Sequence, residues 1–286
     1  MGYSARYHAA SLAAVFIALA IGVLIGLGFG NSPRKSLERS LKSDIKEARK
    51  DADRLGAELS RERDFGDRAY PALVASRLRG ERIGIIALGN LPRDLSANIE
   101  DALQPTEGEL TSVMVIRMPV SLDGLAEAVP RRVYPDLAKG GRGLGRYARL
   151  AGRQLVLGGR LFRRTRDQLL SRASGSFGGL DGVILVRDHP DDLTTAERRV
   201  AQKLESGLVD GIHSVGRPVV GVERTDSEPS AVEFFDSHQV STVDDLDLVA
   251  GGVSLVFSML GAEGNFGVKG SADRLLPELL VPARPG

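Results

Sequence analysis

Apolar and polar residues are arranged in three different ways along this chain, and each arrangement predicts a different kind of element. From Ala9 to Gly30 there are twenty-two residues without a charge, and Ser11 is their only polar side chain. As a helix rising 1.5 Å per residue, this run spans roughly 33 Å, enough to cross a bilayer. A cleaved secretory signal competes with that reading, but its apolar core is usually about 7–15 residues long and leads to a small-x-small cleavage site. This run is longer and ends Gly28-Phe29-Gly30-Asn31, so an uncleaved membrane anchor is expected over residues 1–31. Small residues recur at every fourth position, Ala10, Ala14, Ala18, Gly22, Gly26 and Gly30. They form one narrow stripe along which two helix backbones can approach closely.

After Asn31-Ser32-Pro33 the chain is rich in charge and carries apolar residues at Leu41, Ile45, Ala48, Ala52, Leu55 and Leu59. The spacings alternate four and three, as in the seam of a coiled coil. With Ile45 as heptad position a, Asp44 faces Arg49 and Glu58 faces Arg63 of a parallel second copy, and both pairs attract. The seam is short, two of its positions are Ala, and Gly56 costs roughly 1 kcal/mol of helix propensity. An amphipathic helix lying on its own domain is the alternative. A shared membrane anchor favours pairing, because it raises the local concentration of the second copy. The coiled coil is placed at residues 32–70, with Pro71 at its end or just past it.

From Arg82 the pattern changes to short apolar runs punctuated by Gly. Residues 83–88, 112–116, 182–186 and 219–222 read as strands buried on both faces, and 95–103, 144–157, 165–172, 194–212 and 246–260 read as helices. Buried strands alternating with helices predict a parallel-sheet α/β domain, placed at residues 78–276 and followed by a loose tail at 277–286. The expected fold class is therefore α/β: an N-terminal transmembrane helix and a short coiled coil, then the parallel-sheet domain.

Composition removes several classes of function. The 286 residues include no Cys and no Trp, so there is no disulfide framework, thiol nucleophile or Cys-ligated metal. Overall charge is nearly balanced, with 38 Lys and Arg against 37 Asp and Glu, but its distribution is uneven. Between Arg131 and Arg172 twelve basic residues stand against two acids, and Arg142, Arg146, Arg149, Arg153, Arg163 and Arg164 form the core of this segment. Such a surface suits anionic lipid, an anionic wall polymer or an acidic protein; the plainer reading is a solvated helical face compensated by acids elsewhere. Nucleic acid is not expected as a partner, because few aromatic side chains accompany the charge.

The remaining candidates are acids near strand ends, where α/β proteins usually place ligands. Glu223, Asp226, Asp244, Asp245 and Asp247 form one group; Asp188, His189, Asp191 and Asp192 form another. They suit a hard cation or acid–base chemistry, but the stronger reading is that Asp191 or Asp192, and Asp244 or Asp245, cap the helices that follow. No phosphate-binding loop, dinucleotide fingerprint or Gly-x-Ser-x-Gly elbow is present, so no cofactor is expected and an enzyme is the less favoured class.

The run His8-Ala-Ala-Ser-Leu-Ala-Ala-Val-Phe-Ile-Ala-Leu-Ala-Ile-Gly-Val-Leu-Ile-Gly26, with Val240-Ser-Thr-Val-Asp-Asp245 and Gly264-Asn-Phe-Gly-Val268, resembles the actinobacterial family of the copper transport outer membrane protein, MctB. The order of anchor, coiled coil and α/β domain is similar over nearly the whole chain. The resemblance implies a single-pass envelope protein of copper efflux or homeostasis with its domain outside the cytoplasm. Other relatives are partners in a membrane complex controlling cell-wall hydrolysis during cell separation.

The residues themselves argue against a resident copper site. Copper(I) favours thiolate and thioether ligands and copper(II) favours imidazole. The chain offers Met1, Met114, Met118, Met259, His8, His189, His213 and His238, with no His-x-His or Met-x-x-Met spacing. Few, short, continuously apolar strands also do not fit a β-barrel pore. The expectation is thus a non-enzymatic, homodimeric envelope protein that binds an envelope or membrane protein partner. A scaffold regulating wall hydrolysis is the alternative, and a hydrolase using the strand-end acids comes third. One conflict concerns topology: Arg6 precedes the anchor, but Arg34, Lys35, Arg39, Lys42, Lys46, Arg49 and Lys50 follow it. The positive-inside rule then favours a cytoplasmic domain, whereas the resemblance implies an external one.

Overall fold

Four continuously apolar runs, residues 112–116, 83–88, 182–186 and 219–222 in spatial order, form the middle of a seven-stranded sheet. The protein is described by a computed structural model covering residues 14–23 and 31–278, which divides into two units, residues 1–63 and 64–286.

In the first unit residues 14–23 are helical, and Ala14, Ala18 and Gly22 of the small-residue stripe are exposed there. The rest of the expected anchor, including Ala10, Gly26 and Gly30, lies outside the described residues, as do Met1, His8 and residues 279–286. Among the described residues no helix is long and apolar enough to cross a membrane. Helix α1 (Asn31–Val74) accommodates Pro33 in its first turn, where a missing N–H costs nothing. It also continues through Pro71, which the sequence reading takes as the helix end. The proline removes one hydrogen bond, but the last turn is held from outside: Val74 is fully buried and the Tyr70 hydroxyl donates to the carbonyl of Ala102 at 2.6 Å. The helix stops before Ser76, whose φ of 56° is left-handed.

The second unit is the α/β domain. Its strands are β1 (Arg82–Gly89), β2 (Glu109–Ile116), β3 (Leu170–Gly175), β4 (Gly182–Asp188), β5 (Val219–Val222), β6 (Ser241–Val243) and β7 (Asn265–Phe266). Its helices are α2 (Arg93–Leu103), α3 (Leu122–Ala128), α4 (Arg142–Leu157), α5 (Arg160–Leu169), α6 (Thr195–His213), α7 (Val232–Asp236) and α8 (Val249–Met259). All pairings are parallel except that of β3 with β2. The helix expected at 165–172 is therefore corrected: α5 ends at Leu169, and Leu170 turns extended so that Leu-Ser-Arg-Ala-Ser-Gly pairs along the free edge of β2. Ser and Gly hold a helix poorly, and the edge of β2 offers this segment a hydrogen-bonded ladder instead.

Successive side chains on a strand point to opposite faces, and the core divides accordingly. Ile86, Leu88, Met114, Ile116, Val183 and Leu185 face α3 to α7, whereas Ile83, Ile85, Ala87, Val115, Ile184 and Val186 face the end of α1, α2 and α8. The continuous apolar runs follow from this double cover. On the first face α4 and α6 cross very closely. A Cβ added at Gly152 would lie 2.1 Å from the carbonyl oxygen of Leu208, and one at Gly211 would lie 2.1 Å from that of Arg149.

Candidate functional site

The chain leaves β1 for β2 on one side and reaches β4 on the other, so the carboxyl ends of β1 and β4 mark the topological switch point where open α/β sheets place their ligands. Here that crevice is laced together. The Asn90 amide donates to the carbonyl of Asp188 at 2.7 Å, and Gly89, with φ of 106°, brings the backbones so close that a Cβ would lie 2.2 Å from the same oxygen. Burial raises the Asp188 carboxyl above its ordinary range, against a lowering hydrogen bond from Asn90. On the other face of β4, Arg187 Nε donates to Glu205 Oε2 at 3.0 Å and stacks over Phe234. His189 Nε2 meets Glu205 Oε1. Glu205 is fully buried on α6, and these two partners stand in for the water it has lost.

The second constellation gathers at the ends of β5, β6 and β7. Glu223 accepts from Ser230 Oγ at 2.7 Å, from the Ala231 amide at 2.6 Å and from Lys269 Nζ at 2.6 Å. Asp244 accepts from the amides of Val268 and Lys269 at 2.8 and 3.2 Å; burial raises its carboxyl and these amides pull it back. This explains the Gly-Asn-Phe-Gly-Val run: Gly267 has φ of 136° and lies so close to Asp244 Oδ1 that no Cβ fits. Asp247 receives the amide and hydroxyl of Thr225 at 2.8 and 2.7 Å. Asp245 differs from its neighbours. It is fully buried, neither carboxylate oxygen has a hydrogen-bond partner, and burial together with Asp244 and Asp247 pushes it up to about 7.

Of the acids read from the sequence, Glu223, Asp244 and Asp245 are thus brought together, whereas Asp226 points outward, 66% exposed, on Arg224 at 3.0 Å. The expected caps are corrected. Thr194 caps α6 in a reciprocal box with Glu197, not Asp191 or Asp192, and α8 has Leu248 at its N-cap position with no side-chain cap, because Asp244 and Asp245 turn elsewhere. Sequence reasoning missed Lys269 and Glu205. A glutamate on the apolar stripe Ala201, Leu204, Leu208, Ile212 was the available signal for Glu205, since a charge on such a stripe needs a buried partner.

The arginines expected as an anionic-partner patch line α4 and α5. Arg142, Arg146, Arg149 and Arg153 recur along the exposed side of α4, and Arg163 and Arg164 are exposed on α5. Arg149 pairs with Asp210 at 3.0 Å and Arg146 donates to the carbonyl of Val133. Among the described residues no three His, Asp or Glu side chains gather to hold a metal ion.

Fold and site together define a largely parallel-sheet α/β domain with a polar cluster at its strand ends. The chain matches the family model of the copper transport outer membrane protein, MctB, over residues 3–133 and 152–277, and it belongs to that family. No curated protein matches it.

Proposed function

We propose that this chain is a membrane-anchored envelope component of copper transport or homeostasis, acting as a parallel homodimer whose domain binds a partner and catalyses no reaction. The observation that carries the reading is the seam of α1: Leu41, Ile45, Leu55 and Leu59 are 42%, 47%, 59% and 48% exposed, and Ala48 and Ala52 are exposed between them. Binding is favoured over catalysis because Glu223, Asp244 and Asp247 spend their oxygens on backbone amides, hydroxyls and Lys269. The exposed arginines of α4 and α5 suit an anionic face on that partner or an anionic lipid or wall polymer. Copper enters this proposal as cargo, with no resident site.

The test compares a deletion strain carrying the wild-type chain with one carrying Leu55→Glu, Leu59→Glu. Copper tolerance restored by the first and not by the second, with cross-linked dimer lost in the second, is the expected result. Restoration of cell separation alone would transfer the reading to a scaffold regulating wall hydrolysis. Topology is tested separately: Ser174 is exposed on edge strand β3, and in this thiol-free chain Ser174→Cys is expected to react with a membrane-impermeant maleimide in intact cells. Labelling only after lysis would place the domain in the cytoplasm, as the charge rule has it.

A further inference from the structure

Every exposed side chain of α4 is an arginine or a leucine. Arg142, Arg146, Arg149, Leu150, Arg153 and Leu157 are exposed, and every other position of the helix is buried or half-buried. At about 100° per residue these six share a single arc of about 100°, with the leucines along one margin of the arginine row. Leu150 and Leu157 are 39% and 46% exposed. Val133, 45% exposed, lies beside the row, since its carbonyl accepts from Arg146.

The acids that would neutralise a merely solvated face are missing. Between Arg131 and Arg172 only Asp136 and Asp167 are acidic. Arg149 finds Asp210 on α6 at 3.0 Å, but among the described residues Arg142, Arg153, Arg163 and Arg164 meet no carboxylate. Unpaired guanidinium groups seek anionic oxygens, and their planar forks match phosphate.

The leucines decide which anionic surface fits. A soluble anionic polymer offers them no apolar contact. The outer arc of a helix is convex and offers a protein partner no groove to fill, whereas a bilayer yields to it. There leucine side chains pass below the phosphates to the acyl boundary, and arginines keep their charge at the phosphates with their stems along the apolar margin.

We propose that the outer arc of α4 rests on a bilayer surface rich in anionic phospholipid, with Leu150 and Leu157 inserted and Arg142, Arg146 and Arg153 on the phosphates. The inference rests on the reading above only in giving these arginines an anionic surface, which it narrows to lipid; it uses neither the seam of α1 nor dimerisation. Because α4 and α2 cover opposite faces of the sheet, this docking turns α2 away from the bilayer.

The full chain is free of native thiols, so a fluorophore on Leu157→Cys reports the arc, and one on Ala97→Cys, exposed on α2, reports the opposite face. Each labelled chain is reconstituted with vesicles of phosphatidylcholine, alone or mixed with phosphatidylglycerol, that carry a nitroxide quencher in the acyl chains. The expected result is quenching at Leu157→Cys on the mixed vesicles, lost on phosphatidylcholine alone and at high salt, with none at Ala97→Cys. Arg142→Glu, Arg153→Glu on the Leu157→Cys background is expected to weaken the contact about tenfold or more. No quenching at Leu157→Cys on the mixed vesicles, equal quenching at both positions, or quenching unchanged by the two glutamates overturns the docking. A Leu157→Cys label left in water on those vesicles but shielded in native membranes assigns the arc to an acidic protein and overturns it too. None of these outcomes bears on copper tolerance or on cross-linking through α1, so this docking and the reading above fail separately.

Discussion

Gly211→Val is expected to destabilise the domain by about 3 kcal/mol or more, because the new side chain has nowhere to go. Its first carbon alone would sit 2.1 Å from the Arg149 carbonyl oxygen and 2.9 Å from the carbonyl carbon, and both are backbone atoms of α4. Relief requires α4 and α6 to move apart. That separation would open the layer holding Tyr147, Leu155, Leu204, Leu208 and Ile212, all fully buried. Gly152→Val meets the Leu208 carbonyl in the same way, and a domain stability of about 5–15 kcal/mol leaves little margin for either. Gly56→Ala is the contrast: nothing lies within 4 Å of the added carbon, and helix propensity alone predicts a gain of about 1 kcal/mol for α1. Urea denaturation of the three variants checks this. A midpoint for Gly211→Val equal to the wild-type value would show that the crossing has slack.

The second large effect is expected at Asp245, and it depends on pH. The folded carboxyl is pushed up to about 7 by burial first and by the charges of Asp244 and Asp247 second, whereas an unfolded aspartate titrates near 3.9. Below the unfolded value both states are protonated, and the side chain imposes no linkage penalty. As pH rises from about 4 to 7 the unfolded state loses its proton more readily, so stability falls across that window and levels off above it. Asp245→Asn keeps the shape and removes the titration. It is expected to stabilise the protein by roughly 2–4 kcal/mol at pH 8 and by almost nothing at pH 4. Denaturation midpoints of the variant and the wild type at pH 4, 6 and 8 decide the matter. A difference that does not grow with pH would mean that Asp245 holds an ordinary carboxylate after all.

Much of the architecture was legible without coordinates. Residues 83–88, 112–116, 182–186 and 219–222 are strands because each is apolar on both sides, and only a sheet covered on both faces removes all of that surface from water. The helices around Leu95, Leu144 and Thr194 were read from the stretches that lie between those strands. Lacking such a signal, β3, β6 and β7 were missed. Ser241-Thr-Val243 and Asn265-Phe266 are too short to show a period, and Leu170-Ser-Arg-Ala-Ser-Gly175 is a strand only because β2 presents an open edge.

The same division holds for the candidate site. Local patterning along the chain determined the double-covered sheet and the presence of acids near strand ends, since each is a relation among residues close in sequence. What those acids do was decided only when distant segments met. Asp244 serves the amides of Val268 and Lys269, and Glu223 takes Lys269, because β7 is laid beside β6. Asp245, between them, is left without a partner. Likewise, Ala148 with Gly152 and Gly207 with Gly211 are unremarkable small residues until α4 and α6 cross, when backbone contact makes them indispensable. Hydrogen bonds and steric exclusion act over a few ångströms in space, and only the tertiary structure determines which residues come within that range.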